Sequence, residues 1–219
     1  MAGTQADGRI ARGNETRRLI LRRAVEIASV EGLETLSMGR LASELGLSKS
    51  GVFALFGSKE DLQLATVRAA VTVYLEHVVQ PALDLPAGIG RLWRLCTGWL
   101  AYSRERVFPG GCFFYSASAE YDAREGKVHD ALAAARANWF SHLEQTAREA
   151  QRAGELAQDT DVPQLVFELA AFLELANAES VLHDDFTCYD KAAKAVLNRL
   201  RSGATDPSLL PAAGPAGLH

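Results

Sequence analysis

The fold of this chain is decided by residues 35–62, TLSMGRLASELGLSKSGVFALFGSKEDL. The pattern predicts two short amphipathic helices around a glycine turn, followed by the capped start of a third helix. This is the layout of a helix-turn-helix, whose second helix fits the major groove of DNA. Sequence-directed DNA binding is therefore the leading hypothesis, and a plain pair of antiparallel helices is the alternative.

The first of these helices is predicted over residues 37–45. Ser37 is placed to cap it by accepting a backbone N–H. Apolar residues then recur at the i, i+3, i+4 and i+7 spacing of one helical face, namely Met38, Leu41, Ala42 and Leu45. Gly46 follows where the chain must reverse, because glycine reaches left-handed dihedral angles without steric cost.

The second helix, the predicted recognition helix, covers residues 48–56. Ser48 is placed as its cap, and Gly57 ends it. Its expected buried face consists of Val52, Leu55 and Phe56. The next four residues, Ser58-Lys59-Glu60-Asp61, are typical of a capping box that opens a longer helix. These starts and stops agree with one another, which favours the helix-turn-helix over the simple hairpin.

At these residues the chain resembles the tetracycline-repressor (TetR) family of bacterial transcription regulators. The resemblance spans residues 16–73 and is carried by the 37–45 helix, Leu47-Ser48-Lys49-Ser50-Gly51-Val52-Phe53 and Phe56-Gly57-Ser58-Lys59-Glu60-Asp61-Leu62; the segment Gly110-Gly111-Cys112-Phe113-Phe114 also looks like one found in some members. Many relatives carry tyrosine where Phe53 stands and histidine where Leu55 stands. Phe53 has no hydroxyl to donate to a phosphate, so we expect it to stack or to contact the core.

The remaining chain reads as helices throughout, so we expect an all-α protein. The resemblance implies an N-terminal three-helix helix-turn-helix domain followed by a helical ligand-binding and dimerisation domain. The predicted zones are a disordered basic arm (1–13), the DNA-binding domain (14–58), a linker helix (59–81), the ligand-binding and dimerisation domain (82–202) and a disordered tail (203–219) rich in Gly, Pro and Ala. Pro81 is expected to end the linker helix.

Charge is distributed unevenly along the chain. The net charge is −4, but residues 1–60 hold 9 Lys/Arg and 7 Asp/Glu, a local balance of +2. Arginines crowd the first helix and its approach, at Arg9, Arg12, Arg17, Arg18, Arg22 and Arg23. Such a patch can follow phosphates while an acidic body repels non-specific attachment. The alternative is an ordinary solvated helix face.

The predicted DNA contacts are Arg17, Ser37, Arg40, Ser48, Lys49, Ser50, Gly51, Phe53 and Lys59. Because the recognition helix is short, its first turn must enter the groove, where Lys49 can donate to guanine O6 or N7. Gly51 allows close approach of the backbone, or is only a concession to helix packing. Ser37, Ser48 and Lys59 stand at helix starts, where free N–H groups favour a phosphate oxygen.

The last two helices indicate a homodimer. Residues 162–182 are apolar on nearly every side, so this helix must be buried on more than one side. With the helix that follows, it suits a self-complementary four-helix interface, expected at Leu169, Phe172, Leu173, Ala176, Tyr189, Ala193, Val196 and Leu200. A single core within one chain is the alternative. A two-fold dimer implies a palindromic double-stranded operator.

The resemblance also implies a small-molecule pocket in the region rich in aromatic residues. The candidate lining residues are Trp99, Tyr102, Phe113, Tyr115, Asn138, Trp139 and His142. Taken singly, each aromatic residue is more typical of core than of a pocket wall. The expected mechanism is repression relieved by a small apolar or aromatic effector, which favours a form whose recognition helices are out of register with the operator.

Two other functions are weighed against DNA-binding regulation. A helical enzyme lacks support, because HExxH, P-loop, GxSxG and Ser-x-x-Lys motifs are all missing. A cysteine-based redox-sensing regulator would depend on Cys112, although buried inert cysteine is the more common state. Cys96, Cys112 and Cys188 form no CxxC pair, so we expect no metal and no cofactor.

Composition indicates a cytoplasmic protein. Hydrophobic residues make up 48% and charged residues 23% of the chain, as in ordinary globular domains. No apolar run approaches the roughly 20 residues that span a bilayer. The first residues, MAGTQADGRIARGNETRR, lack the hydrophobic segment of a secretory signal. Scattered, unpaired cysteines fit a reducing compartment.

Overall fold

The computed structural model describes residues 3–213, with side chains described from residue 11 onward except that of residue 12. No strand occurs among these residues, which confirms the all-α prediction. The helices are α1 (Gly3–Glu31), α2 (Met38–Glu44), α3 (Lys49–Phe56), α4 (Lys59–Tyr74), α5 (Gln80–Leu83), α6 (Ile89–Arg104), α7 (Phe113–Tyr121), α8 (Lys127–Arg152), α9 (Val162–His183) and α10 (Thr187–Gly203). Within the described range, none of these helices has the length and apolar character needed to cross a membrane.

The chain forms two compact units that do not follow the linear zones predicted above. The first unit comprises the described residues up to Thr72 together with Phe108–Ala133, so it joins α7 to the helix-turn-helix. The second comprises Val73–Val107 and the described residues from Ala134 onward. The functional division into zones 14–58, 59–81 and 82–202 stays a prediction.

The first unit is built on the local signals of residues 35–62. Ser37 Oγ accepts the N–H of Arg40 at the start of α2, and Gly46 turns the chain with φ +65°. Gly57 ends α3 with φ +79°, and Ser58 Oγ accepts the N–H of Asp61 at the start of α4. The core beneath consists of side chains at most 3% exposed, among them Ile20, Ala24, Leu41, Val52 and Leu62. Burial of these side chains fixes α1, α2 and α3 against one another.

The N-terminal arm differs from the prediction of disorder over residues 1–13. Helix α1 begins at Gly3 and runs unbroken to Glu31, while residues 1 and 2 lie outside the described residues. Residues 3–13 contain Gln, Ala, Arg and Ile and no proline, so their intrinsic cost in a helix is small apart from three glycines. A polar, glycine-containing composition therefore did not indicate correctly whether these residues form a helix.

The linker helix passes through Pro81 instead of ending there. After α4 the chain makes a π-turn over Leu75–Val79, closed by the N–H of Gln80 donating to the carbonyl of Leu75, and continues directly into α5. Pro81 stands in the first turn of α5, where a missing N–H costs little. The π-turn thus restarts the helix just before the proline.

In the second unit, α6, α9 and α10 pack together around a shared core. Most of the predicted dimer contacts lie inside this core, because Leu169, Leu173, Ala176, Tyr189, Ala193, Val196 and Leu200 are all at most 2% exposed within one chain. Only Phe172 is half-buried. The alternative of a single-chain core is therefore correct for these positions, since α9 and α10 bury their tightest faces against each other.

The tail is more ordered than predicted for residues 203–219. Ala157 N donates to the carbonyl of Gly203, and Thr205 N donates to the carbonyl of Glu155, so the chain after α10 pairs with the loop before α9. Leu210 is 5% exposed, which anchors the segment. Residues 214–219 lie outside the described residues.

Candidate nucleic-acid interface

The leading turn of α3 lies at the surface. Ser48 Oγ accepts the N–H of Gly51 at 3.1 Å and so caps the helix, as predicted. Val52 and Phe56 are buried beneath, while Lys49 and Ser50 are exposed. Hydrophobic packing on one side therefore holds a polar edge outward, which is the geometry that groove entry requires.

Gly51 has a role in this cap that the sequence did not reveal. A Cβ at this position would lie 2.9 Å from Ser48 Oγ, the atom that caps the helix. A side chain here would therefore push the capping hydroxyl aside. Glycine therefore leaves room for the capping hydroxyl and adds no side chain to the outer face of α3. The atom that a Cβ would meet belongs to the cap of the same helix, so the alternative of a concession to packing between helices has no support.

Phe53 is outside the core. Its side chain is 57% exposed, so core contact, one of its two expected roles, is wrong. Ala54 beside it is also exposed, whereas Leu55 is half-buried. The outward face of α3 therefore continues beyond Lys49 as an apolar surface.

Arg17 supports the recognition helix. Its Nη1 donates to the carbonyl of Leu55 at 2.6 Å, and its guanidinium lies 4.5 Å above the ring of Phe56. Carbonyls in the last turn of a helix lack intrahelical donors, and a cation there also complements the helix dipole. Arg17 thus ties α1 to the end of α3 and has a positioning role, while its contact with DNA stays a prediction.

Arg40 is held in a network of ion pairs. Its guanidinium donates to both carboxylate oxygens of Glu31 at 2.6 Å and to Glu44 at 2.8 Å. Glu44 in turn accepts from Arg23 at 2.6 Å. These hydrogen bonds lower the pKa of the Glu31 and Glu44 carboxyls and raise that of Arg40. The network links α1 to α2. Its carboxylates compensate the positive charge of Arg40, which the sequence predicted to contact a phosphate.

Lys59 is engaged in the same way. Its Nζ donates to the carbonyl and the carboxylate of Glu34, at 2.6 and 2.8 Å. The Tyr121 hydroxyl donates to the same carboxylate at 2.6 Å, and Gln63 adds a third side chain. Lys59 and Tyr121 lower the pKa of Glu34 to about 2, so the carboxylate stays charged at neutral pH. Lys59 thus fixes the start of α4 to the turn at Leu33–Thr35.

Glu120 is a positioning residue that sequence reasoning missed. Its carboxylate accepts the N–H groups of Leu33 and Glu34 at 2.7 and 2.9 Å, which caps the 3₁₀ turn after α1. The capping group comes from α7, 87 positions away from Leu33. No local pattern signals such a cap, because the usual capping residue precedes the turn in the chain.

Three of the pocket candidates come together in the second unit. The ring of Tyr102 lies 6.2 Å from that of Trp99 and 5.6 Å from that of Tyr74, which in turn lies 5.4 Å from Trp139. Edge-to-face pairing of this kind stabilises a cluster beyond simple burial. We call these four residues (Tyr74, Trp99, Tyr102 and Trp139) the aromatic cluster.

The other pocket candidates are dispersed. His142 is half-buried and its pKa is lowered, chiefly by burial. Asn138 is exposed on α8. Phe113 and Tyr115 belong to the first unit, where Phe113 packs on Phe108 and Phe114 and Tyr115 is exposed. Five of the seven predicted residues therefore belong to the second unit and two to the first.

The cysteines give the redox alternative no support. Cys96, Cys112 and Cys188 are all buried. Burial raises the pKa of Cys96 to about 12 and also raises the pKa of Cys188, whereas reactive thiols have depressed pKa values. Among the side chains that the structure describes, no group of three or more His, Cys, Asp or Glu residues is placed to hold a metal ion.

Two family models match the chain. Residues 20–66 match "Bacterial regulatory proteins, tetR family", and residues 88–196 match "Tetracyclin repressor-like, C-terminal domain". The first match covers the helix-turn-helix, and the second covers α6, α7, α8 and α9 completely and α10 as far as Val196. No curated protein matches the sequence.

Solved structures share this fold. A TetR transcriptional regulator from Chloroflexus aurantiacus J-10-FL has a TM-score of 0.82 at 19% identity, covering 89% of this chain and 98% of its own. A TetR-family regulator from Streptomyces coelicolor gives 0.74 at 23% identity, covering 93% and 96%. AibR, in complex with isovaleryl coenzyme A and operator DNA, gives 0.62 at 18% identity, covering 74% and 85%.

The exposed turn of a capped recognition helix, the all-α architecture and the two family matches agree. Proteins of this family are DNA-binding regulators, so the enzyme alternative has no support. This chain is a member of the TetR family of transcription regulators, with a helix-turn-helix DNA-binding domain and a ligand-binding C-terminal domain.

Proposed function

We propose that this protein is a cytoplasmic, homodimeric repressor that binds a palindromic duplex operator and is released by a small apolar or aromatic molecule. The observation that carries the proposal is the leading turn of α3, where Ser48, Lys49 and Ser50 are exposed above the buried Val52. Ser37, Gly51 and Phe53 complete the proposed DNA-contacting set. Arg17, Arg40 and Lys59 support the domain through the contacts described above.

Lys49 is the proposed reader of a base. It is exposed. The described side chains of α2 and α3 include two cations, and Arg40 is held in ion pairs whereas Lys49 is not. From a random duplex library, the full-length protein is expected to select near-palindromic sites with half-sites about one turn apart, roughly 10–10.5 bp or a multiple. Lys49→Ala is expected to raise the dissociation constant for the selected duplex by about 5- to 150-fold, equivalent to a loss of about 1–3 kcal/mol of binding free energy.

Lys194→Ala is the matched control, because Lys194 is an exposed lysine on α10. It is expected to leave the dissociation constant within about twofold, as for a surface change away from the interface. Equal losses of affinity in the two variants would show that Lys49 acts only through the net charge of the protein. Failure to enrich any duplex over the starting library would refute DNA binding itself.

The proposed dimer surface is the exposed face of α9. Its apolar residues recur at helical spacing, namely Phe167, Ala171, Leu175, Ala178 and Leu182. Phe167, Leu175 and Leu182 are 64%, 61% and 75% exposed in the single chain. An exposed apolar stripe of this length is unfavourable in water, and a two-fold axis allows two copies to cover it mutually. The half-buried Phe172 borders the stripe.

Leu175→Glu is expected to convert the dimer into a monomer. A carboxylate at the centre of the stripe would lose its hydration on association without gaining a partner. Sedimentation velocity at micromolar concentration is expected to show a dimer for the wild type and a monomer for the variant. Lys194→Glu, on the neighbouring α10, is expected to stay dimeric. A wild-type monomer, or a dimeric Leu175→Glu protein, would contradict the proposed surface.

The proposed effector site is built around the aromatic cluster. Trp99 and Tyr102 on α6 are at most 4% exposed, and their rings are apolar surfaces with polar edges. Half-buried Trp139 and His142 lie one turn apart on α8. AibR, which shares this fold, has been solved with both a coenzyme A thioester and operator DNA, and this supports a similar pairing of effector and operator here.

A further inference from the structure

We infer that Phe53 recognises the C5-methyl group of a thymine in each operator half-site, so that the chain reads part of its operator by hydrophobic contact. The inference rests on the proposed function and adds to it the chemical identity of one recognised base. Phe53 lies in α3 and is 57% exposed, the most exposed phenylalanine of the first unit. An aromatic ring in water on a functional helix requires an explanation, and the buried face of α3 is already complete with Val52 and Phe56.

The position of Phe53 on the helix selects the major groove. Residues four apart share one face of a helix, so Phe53 lies beside Lys49 and one turn further along. Gly51 and Ala54 flank it with no side chain larger than a methyl group. The outward face of α3 therefore presents one cation, then small residues, then one ring. In the major groove the apolar feature available to such a ring is the thymine C5-methyl group.

The spacing of the two side chains gives the expected pattern of bases. Four residues of an α-helix rise about 6 Å, which corresponds to about two base pairs of B-DNA at roughly 3.4 Å each. A thymine about two base pairs from the guanine met by Lys49 is thus expected in each half-site. The phenylalanine ring offers no hydroxyl to a phosphate or to a base edge, so this contact depends on the methyl group alone.

The test replaces each thymidine of the selected duplex, one position at a time, by deoxyuridine, which lacks only the C5-methyl group. At one symmetric pair of positions we expect the dissociation constant of the wild-type dimer to rise about fourfold per half-site, the value of one lost methyl contact. Thymidines outside the half-sites serve as controls and are expected to show no change. Wild-type protein is used, so this arm does not depend on the folding of any variant.

The second arm links the methyl group to Phe53. Phe53→Ala is expected to bind more weakly and to lose all discrimination between thymidine and deoxyuridine, whereas Phe53→Leu keeps part of it. Because the ring is exposed, both variants are expected to melt as the wild type does. Operator binding with no uridine-sensitive position, or an equal uridine penalty in Phe53→Ala, overturns this inference and leaves the proposed function standing. Absence of binding to any duplex removes both.

Discussion

Gly110→Ala is expected to lower the free energy of unfolding by about 3 kcal/mol, at the upper end of the cost of overpacking. The turn at residues 108–111 lies directly on the end of α1, where Gly110 N donates to Ser29 Oγ at 3.2 Å. A Cβ at Gly110 would lie 1.8 Å from the carbonyl oxygen of Ser29 and 3.1 Å from the N of Val30. These are backbone atoms, so the clash cannot be relieved by rotating a side chain.

The measurement is urea unfolding followed by circular dichroism, with hydrogen exchange of α1 to locate the loss. Gly90→Ala is the matched control, because Gly90 lies in α6 and a Cβ there meets nothing within 4 Å. Alanine at that position is expected to raise stability by about 0.5–1 kcal/mol. A Gly110→Ala protein as stable as the wild type would show that the turn does not press on α1.

Arg106→Ala is expected to destabilise the second unit by about 3 kcal/mol. The guanidinium donates to the carbonyl of Ser103, to the hydroxyls of Ser180 and Tyr189 and to the carbonyl of Ser180, at 2.8–3.2 Å. It also lies 4.9 Å above the ring of Phe186. Ser103, Ser180 and Tyr189 are at most 1% exposed, so removing the donor leaves buried acceptors without it. One side chain thus links α6, α9 and α10.

Two companion variants separate the side chain from its backbone. Arg106 has φ +52°, a conformation that costs an L-residue about 1–2 kcal/mol. Arg106→Gly is therefore expected to be about 1 kcal/mol more stable than Arg106→Ala, although it lacks the same hydrogen bonds. Tyr189→Phe, which removes one hydroxyl, is expected to cost about 1–3 kcal/mol. Thermal unfolding that places Arg106→Ala within about 0.5 kcal/mol of the wild type would contradict this account.

The helix-turn-helix was predictable because its signals are local. Ser37 and Ser48 cap helices three residues or fewer downstream, and Gly46 and Gly57 adopt the left-handed angles that end them. Such interactions depend on neighbouring residues, so a single sequence contains them. Their agreement placed the start of the recognition helix within one residue.

The partners of the charged residues could not be predicted. Arg17 meets a carbonyl 38 positions away, and Glu34 accepts from Lys59 across 25 positions and from Tyr121 across 87. An arginine or lysine on a helix looks the same in sequence whether it faces a phosphate or a carboxylate. Only the fold decides between these partners, because it brings Glu31, Glu34 and Glu44 near the cations.

The sequence predicts the dimer interface on the face of α9 that is buried within the chain. Apolar residues surround this helix, so periodicity showed that two faces would be covered but not which one the chain itself covers. Leu169 and Leu173 are inside the chain, whereas Leu175 and Phe167 remain at the surface. The choice is made by the small residues of α10, such as Ala192 and Ala193, which pack closely within the same unit.

The π-turn at Leu75–Val79 has a consequence for the angular phase of the long helix. Buried side chains recur at every fourth position, at Leu62, Thr66, Ala70, Tyr74, Val78 and Ala82. On a regular α-helix four residues turn through about 400°, so this row would wind by about 40° at each step. One additional residue in the wider turn takes back roughly 100° of the winding. The helix therefore behaves as one that has absorbed a single-residue insertion, so removing one residue from Leu75–Val79 is expected to restore a regular α-helix and to leave the angular phase of the following residues unchanged.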